Sequence, residues 1–369
     1  MKKFLSKTRE YIPLFSLVVF SLTIISLILY IIILNNVSFA DFFNYNLSFP
    51  IRVAISWVTV ILPFSIAEVA LILSPLILIV LILLAFKYGK RGKKASIKYL
   101  MVILSILCLV FILYVWTYSS GFHISKIEDK MNLDRGDLTA EELYNASEII
   151  VKELNSLVEY VEFDENGASK MPYSYSEMSE KICKAYESFV DKYPVLRTYY
   201  SKIKPIILSE PMTYTHISGI YTFMTGEANV NVNYPDFVIA STSAHEMAHQ
   251  RGFAREDECN FISFAVLLES DDPFLKYSAY LDVYANIVNA LYGESPELYF
   301  QVASKLDKRV IGDRQSYSKF FEKYADSKAS EVADSMNDSY LQANGQTQGT
   351  KSYGMIVEIV TAYLLNKTK

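Results

Sequence analysis

His245 and His249 stand four residues apart, with Glu246 directly after the first, in the run His245-Glu246-Met247-Ala248-His249. On a helix that spacing puts both imidazoles on one face, one turn apart, where they can reach a single ion. Glu246 lies beside them, placed to take a proton from water rather than to ligate. The chemistry of such a set is metal-assisted hydrolysis, with Zn2+ activating water and polarising a carbonyl while Glu246 moves the proton. A catalytic zinc keeps three protein ligands and one open position, so a third ligand must come from elsewhere. Gly252, three residues after His249, can end the helix and turn the chain back. Glu256 and Asn260 then open a further helix at i and i+4. Glu256 is the expected third ligand, and Asn260 the residue that orients a ligand histidine from behind. Asp257 and Glu258 are alternatives, but Glu258 points away from Glu256 on a helix, so the two cannot both serve. The competing reading is a surface helix on which His245, Glu246 and His249 are merely solvated. Ala244, Met247 and Ala248 make that helix partly apolar and weigh against it.

Other residues are candidates by type. Asn229-Val230-Asn231-Val232-Asn233 alternates strictly, as a strand with one apolar face does. An extended substrate can add to such a strand through main-chain hydrogen bonds, with Asn229 and Asn231 beside it. An ordinary strand whose asparagines face water fits equally. His216, Tyr340 and Tyr353 are candidate donors to an oxyanion. Arg251 and Arg255 can bind carboxylates, although salt bridges are the more common use. His123 is most simply a polar residue beside the membrane. Of three cysteines, Cys108 lies in an apolar run; Cys183 and Cys259 can pair, but two unpaired buried thiols are expected.

The elements that must position these residues fall into two unlike parts. Up to residue 119 the chain holds 11 Lys and Arg against 3 Asp and Glu; of the 35 and 40 in the whole, 24 and 37 remain afterwards. That acidic remainder argues against nucleic acid as a partner. Tyr11 to Leu34, Val69 to Phe86 and Tyr99 to Tyr118 are apolar runs of membrane-crossing length. The first lacks a small-residue cleavage site and reads as a retained anchor in the lipid bilayer. Tyr114, Trp116 and Tyr118 suit an interfacial aromatic belt. Ile51 to Phe64 is apolar but short and contains Pro63, so it can lie in the interface, re-enter, or extend the second span. Lys2, Lys3, Lys7 and Arg9 precede the first span, and Lys87, Lys90, Arg91, Lys93, Lys94 and Lys98 lie between the second and third. Three crossings put both clusters in the cytoplasm, with the N-terminus, and put residues 121–369 outside it.

Within 121–369, Leu138-Thr139 followed by Glu141 and Glu142 signals a helix start, with helical spacing through Leu157. Ser176 to Phe189 and Tyr193 to Ile203 read as helices, and Thr213 to Val238 as strands punctuated by Gly219, Gly226 and Pro235. Further helices are expected at Glu256 to Leu268, Leu275 to Leu291, Ser295 to Leu306, Tyr317 to Tyr324 and Tyr353 to Leu365. The expected fold is therefore an α-helical membrane anchor of three spans (residues 1–120), followed by an α+β, mostly helical domain with a small sheet.

Thr225 to Asn231 (TGEANVN), Pro235 to Phe237 (PDF), His245 to Phe261 (HEMAHQRGFAREDECNF), Asn337 to Gln346 and Ser352 to Gly354 resemble the hallmarks of the domain-of-unknown-function 3810 family of bacterial membrane proteins. The resemblance spans nearly the whole chain and implies a zincin-like metallopeptidase fold more than a substrate. More distantly, Arg255-Glu256-x-x-Cys259-Asn260 resembles the RExxAD or ExxAN helix of gluzincin-type peptidases, in which the Glu binds zinc and the Asp or Asn supports a ligand. This chain departs from them in a very short link between the two helices and in Cys259 where Ala is common. The expected function is hydrolysis of peptide bonds in extracytoplasmic protein or peptide substrates. The rivals are a zinc-containing envelope sensor or binding module without catalysis, and a hydrolase of cell-wall peptides.

Overall fold

A computed structural model describes residues 10–349 and 355–367. The chain begins with α1 (Leu14–Asn35), continues through α2 (Val37–Phe43), a π-helical turn (Asn44–Ser48) and α3 (Phe49–Val60), and runs out and back along α4 (Ile66–Lys90) and α5 (Lys93–Thr117). α1, α4 and α5 are long and apolar enough to cross a membrane. Their 22 and 25 residues reach about 33–38 Å at 1.5 Å per residue, enough for a hydrocarbon layer of about 30 Å. α1 packs along α5, where Trp116 Nε1 donates to Ser26 Oγ at 3.0 Å and Tyr30 meets Phe111 edge to face. Lys94 Nζ lies 3.1 Å from Glu10 Oε2, so the start of α1 and the basic α4–α5 turn share one end of the bundle.

α2, the π-helical turn and α3 form one unbroken helical run over residues 37–60, with right-handed backbone at both junctions. Arg52, Ser56 and Thr59 are buried against the rest of the protein, while Trp57, Val58 and Ile61 are exposed.

Beyond α5 a 3-10 turn (Ser119–Phe122) leads to α6 (Ile127–Met131), α7 (Ala140–Leu157), the small hairpin β1 (Glu162–Phe163) and β2 (Ser169–Lys170), and α8 (Tyr175–Lys192). Then come β3 (Ile203–Pro205), α9 (Ser209–Thr213), β4 (Gly219–Thr222), β5 (Glu227–Val230), α10 (Asp236–Gln250), α11 (Glu256–Leu268) and α12 (Pro273–Glu294). α13 (Pro296–Ala303), α14 (Lys308–Glu322), α15 (Lys328–Ala343) and α16 (Ile356–Lys367) complete the described chain. Thr139 and Glu142 form a capping box at α7, as do Ser174 and Glu177 at α8. These reciprocal bonds satisfy amides that a helix start leaves open. The core joins α7, α8, α10, α11 and α12 through residues such as Ile150, Tyr186, Met247, Phe264 and Tyr284.

The sheet order is β3-β5-β4, with β5 parallel to β3 and antiparallel to β4. β5 is thus central, and all four of its residues are buried. The alternation in Asn229–Asn233 does not mark a water-facing side, because the asparagine amides find partners inside. Asn229 Nδ2 donates to the Ile220 carbonyl at 3.0 Å, and Asn231 Nδ2 to the Ile217 carbonyl at 3.1 Å.

Other elements also differ from expectation. Residues 193–202 form an irregular stretch, not a helix. Pro194 disfavours helical backbone before it, and the carbonyls of Val195 and Tyr199 bond instead to Tyr45 Oη and Arg251 Nη2. α10 begins at Asp236, inside the stretch read as strand, because Pro235 suits a helix start. α14 begins well before Tyr317, and α15 is not among the expected helices, although Val332, Met336 and Tyr340 recur at helical spacing along it.

Packing does not divide at residue 120, because α2, α3 and the start of α4 are built into the folded part. The Glu227 carboxylate accepts from the Ile66 and Ala67 amides, both at 3.0 Å. Glu68 accepts from the Ile207 and Leu208 amides at 3.0 and 2.7 Å. Lys204 Nζ donates to the Thr59 carbonyl at 2.9 Å and to that of Leu62. A carboxylate at the first turn of α4 also suits the positive end of the helix dipole.

Candidate metal centre

α10 carries the two histidines through the interior, so its small residues must let neighbours approach. Ser241 Oγ donates to the Ser278 carbonyl of α12 at 3.2 Å, and Ser263 Oγ of α11 donates to the Ser241 carbonyl at 2.7 Å. The helix ends as Gly252 predicts. Gly252 has φ +102°, its amide donates to the His249 carbonyl, and the Phe253 amide donates to that of Ala248. This paired closure reverses the chain within four residues and delivers Glu256 at the start of α11.

The reversal brings three ligand atoms together. His245 Nε2 is 3.1 Å from both His249 Nε2 and Glu256 Oε2, and His249 Nε2 is 3.6 Å from Glu256 Oε2. Tetrahedral ligands with bonds of 2.0–2.1 Å lie about 3.3 Å apart, so the donor set fits a zinc ion. His249 Nδ1 lies 2.9 Å from the Phe253 carbonyl, which favours a proton on that nitrogen and leaves Nε2 free to ligate. Burial opposes charge on Glu256, but His249 and His245 outweigh it and hold the carboxyl well below its usual range. The side chains of His245 and Glu256 keep 12% and 9% exposure, leaving a route for a water or substrate.

Glu246 is buried beside the ligands, and its Oε2 has no protein hydrogen-bond partner among the described residues. Burial raises its pKa against the pull of His245 and His249, while the Tyr221 amide favours the ionised form. Gly219 on β4 makes this position possible. A Cβ there would lie 2.6 Å from Glu246 Oε1 and 2.5 Å from Thr242 Cγ2. Gly219→Ala is expected to leave the metal content intact and lower turnover by about 10²-fold, because small misplacements of a reacting group are costly. Turnover within twofold of wild type would show that β4 does not position Glu246.

The remaining candidates separate clearly. Asp257 pairs with Arg135 at 2.8 Å, and Glu258 accepts from the Ile127 amide and pairs with Arg255, so neither joins the ligands. Arg255 Nη1 also donates to the Phe122 and Ile124 carbonyls at 3.0 Å. Arg251 is fully buried over the Tyr186 ring and bonds to the Met247 and Tyr199 carbonyls, which makes it structural. His216 bonds to the Tyr324 carbonyl on another part of the surface. Tyr340 of α15 packs edge to face on Phe122, close enough that His249 and Glu256 influence its hydroxyl. Tyr353 lies outside the described residues. His123 is half-buried beside Gly345. Asn260 lies one turn along α11 from Glu256, and Phe253, Cys259 and Tyr118 meet His249 Nδ1. Cys183 and Cys259 are free and buried, and Cys259 Sγ faces His249 Nδ1 at 3.3 Å, the ring nitrogen opposite the one that meets His245 and Glu256. With β3 and β4 on its two sides, β5 has no edge to offer a substrate, and the buried Asn229 and Asn231 spend their amides on the Ile220 and Ile217 carbonyls.

Sequence reading missed the residues that join the centre to the long helices. Tyr118, directly after α5, places its hydroxyl 3.4 Å from His249 Nδ1, and Tyr221 stacks on the His249 ring. Arg52 of α3 is buried and donates to Asn44 Oδ1 at 2.9 Å, the Thr117 carbonyl at 3.0 Å and the Arg251 carbonyl at 3.5 Å. It thus ties together the C-terminal ends of α5 and α10, where the helix dipoles favour a cation. A lone arginine in an apolar stretch was the only sequence signal of this role.

A family model described as Protein of unknown function (DUF3810) matches residues 43–361. The chain belongs to that family, and the matched range extends from the end of α2 into α16 and includes His245, His249 and Glu256. No curated protein and no solved structure matches the chain.

Proposed function

We propose that this protein is a membrane-anchored, zinc-dependent metallopeptidase with a zincin-like catalytic domain, acting on extracytoplasmic protein or peptide substrates. The observation that carries the reading is Glu246, which lies beside the ligand cluster with one buried oxygen unpartnered. A purely structural metal site needs no such group. His245, His249 and Glu256 would hold the ion, which when bound supplies Lewis-acid activation of water and of the scissile carbonyl. Glu246 accepts the proton and returns it to the leaving amine, and its buried Oε2, unpartnered among the described residues, is the acceptor. Tyr340, packed on Phe122, is the candidate donor to the oxyanion. An extended substrate would pair with the outer edge of β4, which runs past Glu246, rather than with β5. The basic α4–α5 turn, held to the start of α1 by Lys94 and Glu10, and the basic residues that precede the first span in sequence support a cytoplasmic N-terminus and a catalytic centre on the opposite side of the membrane.

Metal analysis of the full-length protein in detergent tests this directly. Wild type and Glu246→Gln are expected to hold about one zinc per chain, and Glu256→Ala to lose it on dialysis. Wild type without stoichiometric zinc would sink the metallopeptidase reading. Full zinc affinity in Glu256→Ala would move the third ligand elsewhere.

A further inference from the structure

The ligand cluster is set against the end of a membrane-length helix. Tyr118 touches His249 and is the first residue after α5. Gly121 packs so closely on the turn after α10 that a Cβ there would lie 2.6 Å from the Gly252 carbonyl oxygen. The metal ligands therefore stand within roughly 15 Å of the α5 terminus, four or five residues of extended chain.

β4 extends from this centre toward the same level. Its first residue, Gly219, is beside Glu246, and the turn after its last residue carries Phe223 against Tyr114 and Tyr118. Tyr114 belongs to the last turn of α5, so the β4–β5 turn reaches the end of the span. On its other side Gly226 packs against Ile55 and Ser56 of α3. Exposed apolar side chains ring this level: Met224 in the turn, Trp57 and Ile61 around α3, and Ile207 beside the start of α4. Ile61 keeps 80% exposure and Ile207 76%, which in water is unfavourable and in a headgroup layer is not. β4 is an edge strand, with its far side unpaired among the described residues.

We propose that the substrate is a polypeptide anchored in the same membrane, which leaves the bilayer along the free edge of β4 and is cut within about five residues of its anchor. This rests on the metallopeptidase reading and adds to it a substrate class. A chain that emerges beside α5 in extended form reaches Glu246 after the four residues of β4. A freely diffusing peptide gains nothing from this placement, whereas an anchored one is held at high local concentration in the required direction.

The test uses zinc-loaded full-length protein in vesicles of phosphatidylcholine and phosphatidylglycerol. A peptide library is joined to a polyleucine membrane helix through spacers of about 2 to 20 residues, and cut positions are read by mass spectrometry. Cuts are expected to cluster within about five residues of the anchor. Short-spacer substrates should be cleaved at least about tenfold faster than the same sequences on the longest spacer. Equal rates at all spacer lengths, with cuts spread along the spacer, would overturn the anchored-substrate proposal and leave the peptidase standing. No cleavage of the anchored library or of free peptides would remove both. A second readout is independent of activity. In Trp116→Phe, the remaining Trp57 is expected to be quenched by lipids brominated near the headgroup. Absence of quenching would overturn the placement of β4 and α3 at the bilayer surface.

Discussion

Glu246→Gln is expected to keep about one zinc per chain while peptide hydrolysis falls by about 10²–10⁴-fold, the usual contribution of a positioned acid–base group. The two results belong together. The ligand atoms come from His245, His249 and Glu256, so a neutral amide at 246 leaves them in place. Stability should move in the opposite direction to activity. Burial raises the Glu246 pKa in the folded protein. A raised carboxyl pKa means that the folded state loses stability as pH rises through it, so at neutral pH the buried charge is a burden. Gln removes that charge, and the melting temperature of the metal-free variant is expected to equal or exceed that of wild type. A variant that hydrolyses peptides at the wild-type rate would remove Glu246 from the mechanism. One that loses zinc would make it part of the ligand set.

Arg52→Ala is expected to produce the largest loss of stability. The guanidinium is buried with no acidic side chain at ion-pair distance among the described residues, and its partners are carbonyls and Asn44. Removing it leaves the Thr117 and Asn44 acceptors without their donor and opens a cavity between α3, α5 and α10. Such losses are worth about 3–5 kcal/mol, which for a chain of this size lowers the melting temperature by roughly 4–6 °C. Arg52→Lys keeps the charge but cannot reach several acceptors at once, so its melting temperature should fall between the two. Gly252 lies against the same guanidinium, where a Cβ would come within 2.3 Å of Arg52 Nη2; changes at the two positions will therefore not be additive. Thermal melts of the full-length protein in detergent measure this. An Arg52→Ala variant that melts with wild type would show that the contact between the long helices and the ligand-bearing helix carries no stability.

Much of this was legible in the residues because local spacing carries it. His245, Glu246 and His249 share a helix face by period alone, and Gly252 marks the turn because its left-handed backbone is one that few other residues adopt. Glu256 follows from that turn, and the three apolar runs follow from length and composition. The capping residue Thr139 announced α7, whereas the Ser174 cap of α8 lies two residues before the helix start expected at Ser176. What sequence could not supply were the pairings between distant segments. Whether Asn229 faces water or the Ile220 carbonyl depends on which strand lies beside β5, and the alternating pattern is the same in both cases. Gly219 gains its meaning only when β4 is laid against α10, and Tyr118 only when the end of α5 meets His249. Arg52 reads as a stray charge until three chain ends converge on it. Helical period and composition thus picked out His245, Glu246, His249 and the three long helices. Tertiary packing alone decided that this cluster stands at the end of α5, because that contact joins residues more than a hundred positions apart.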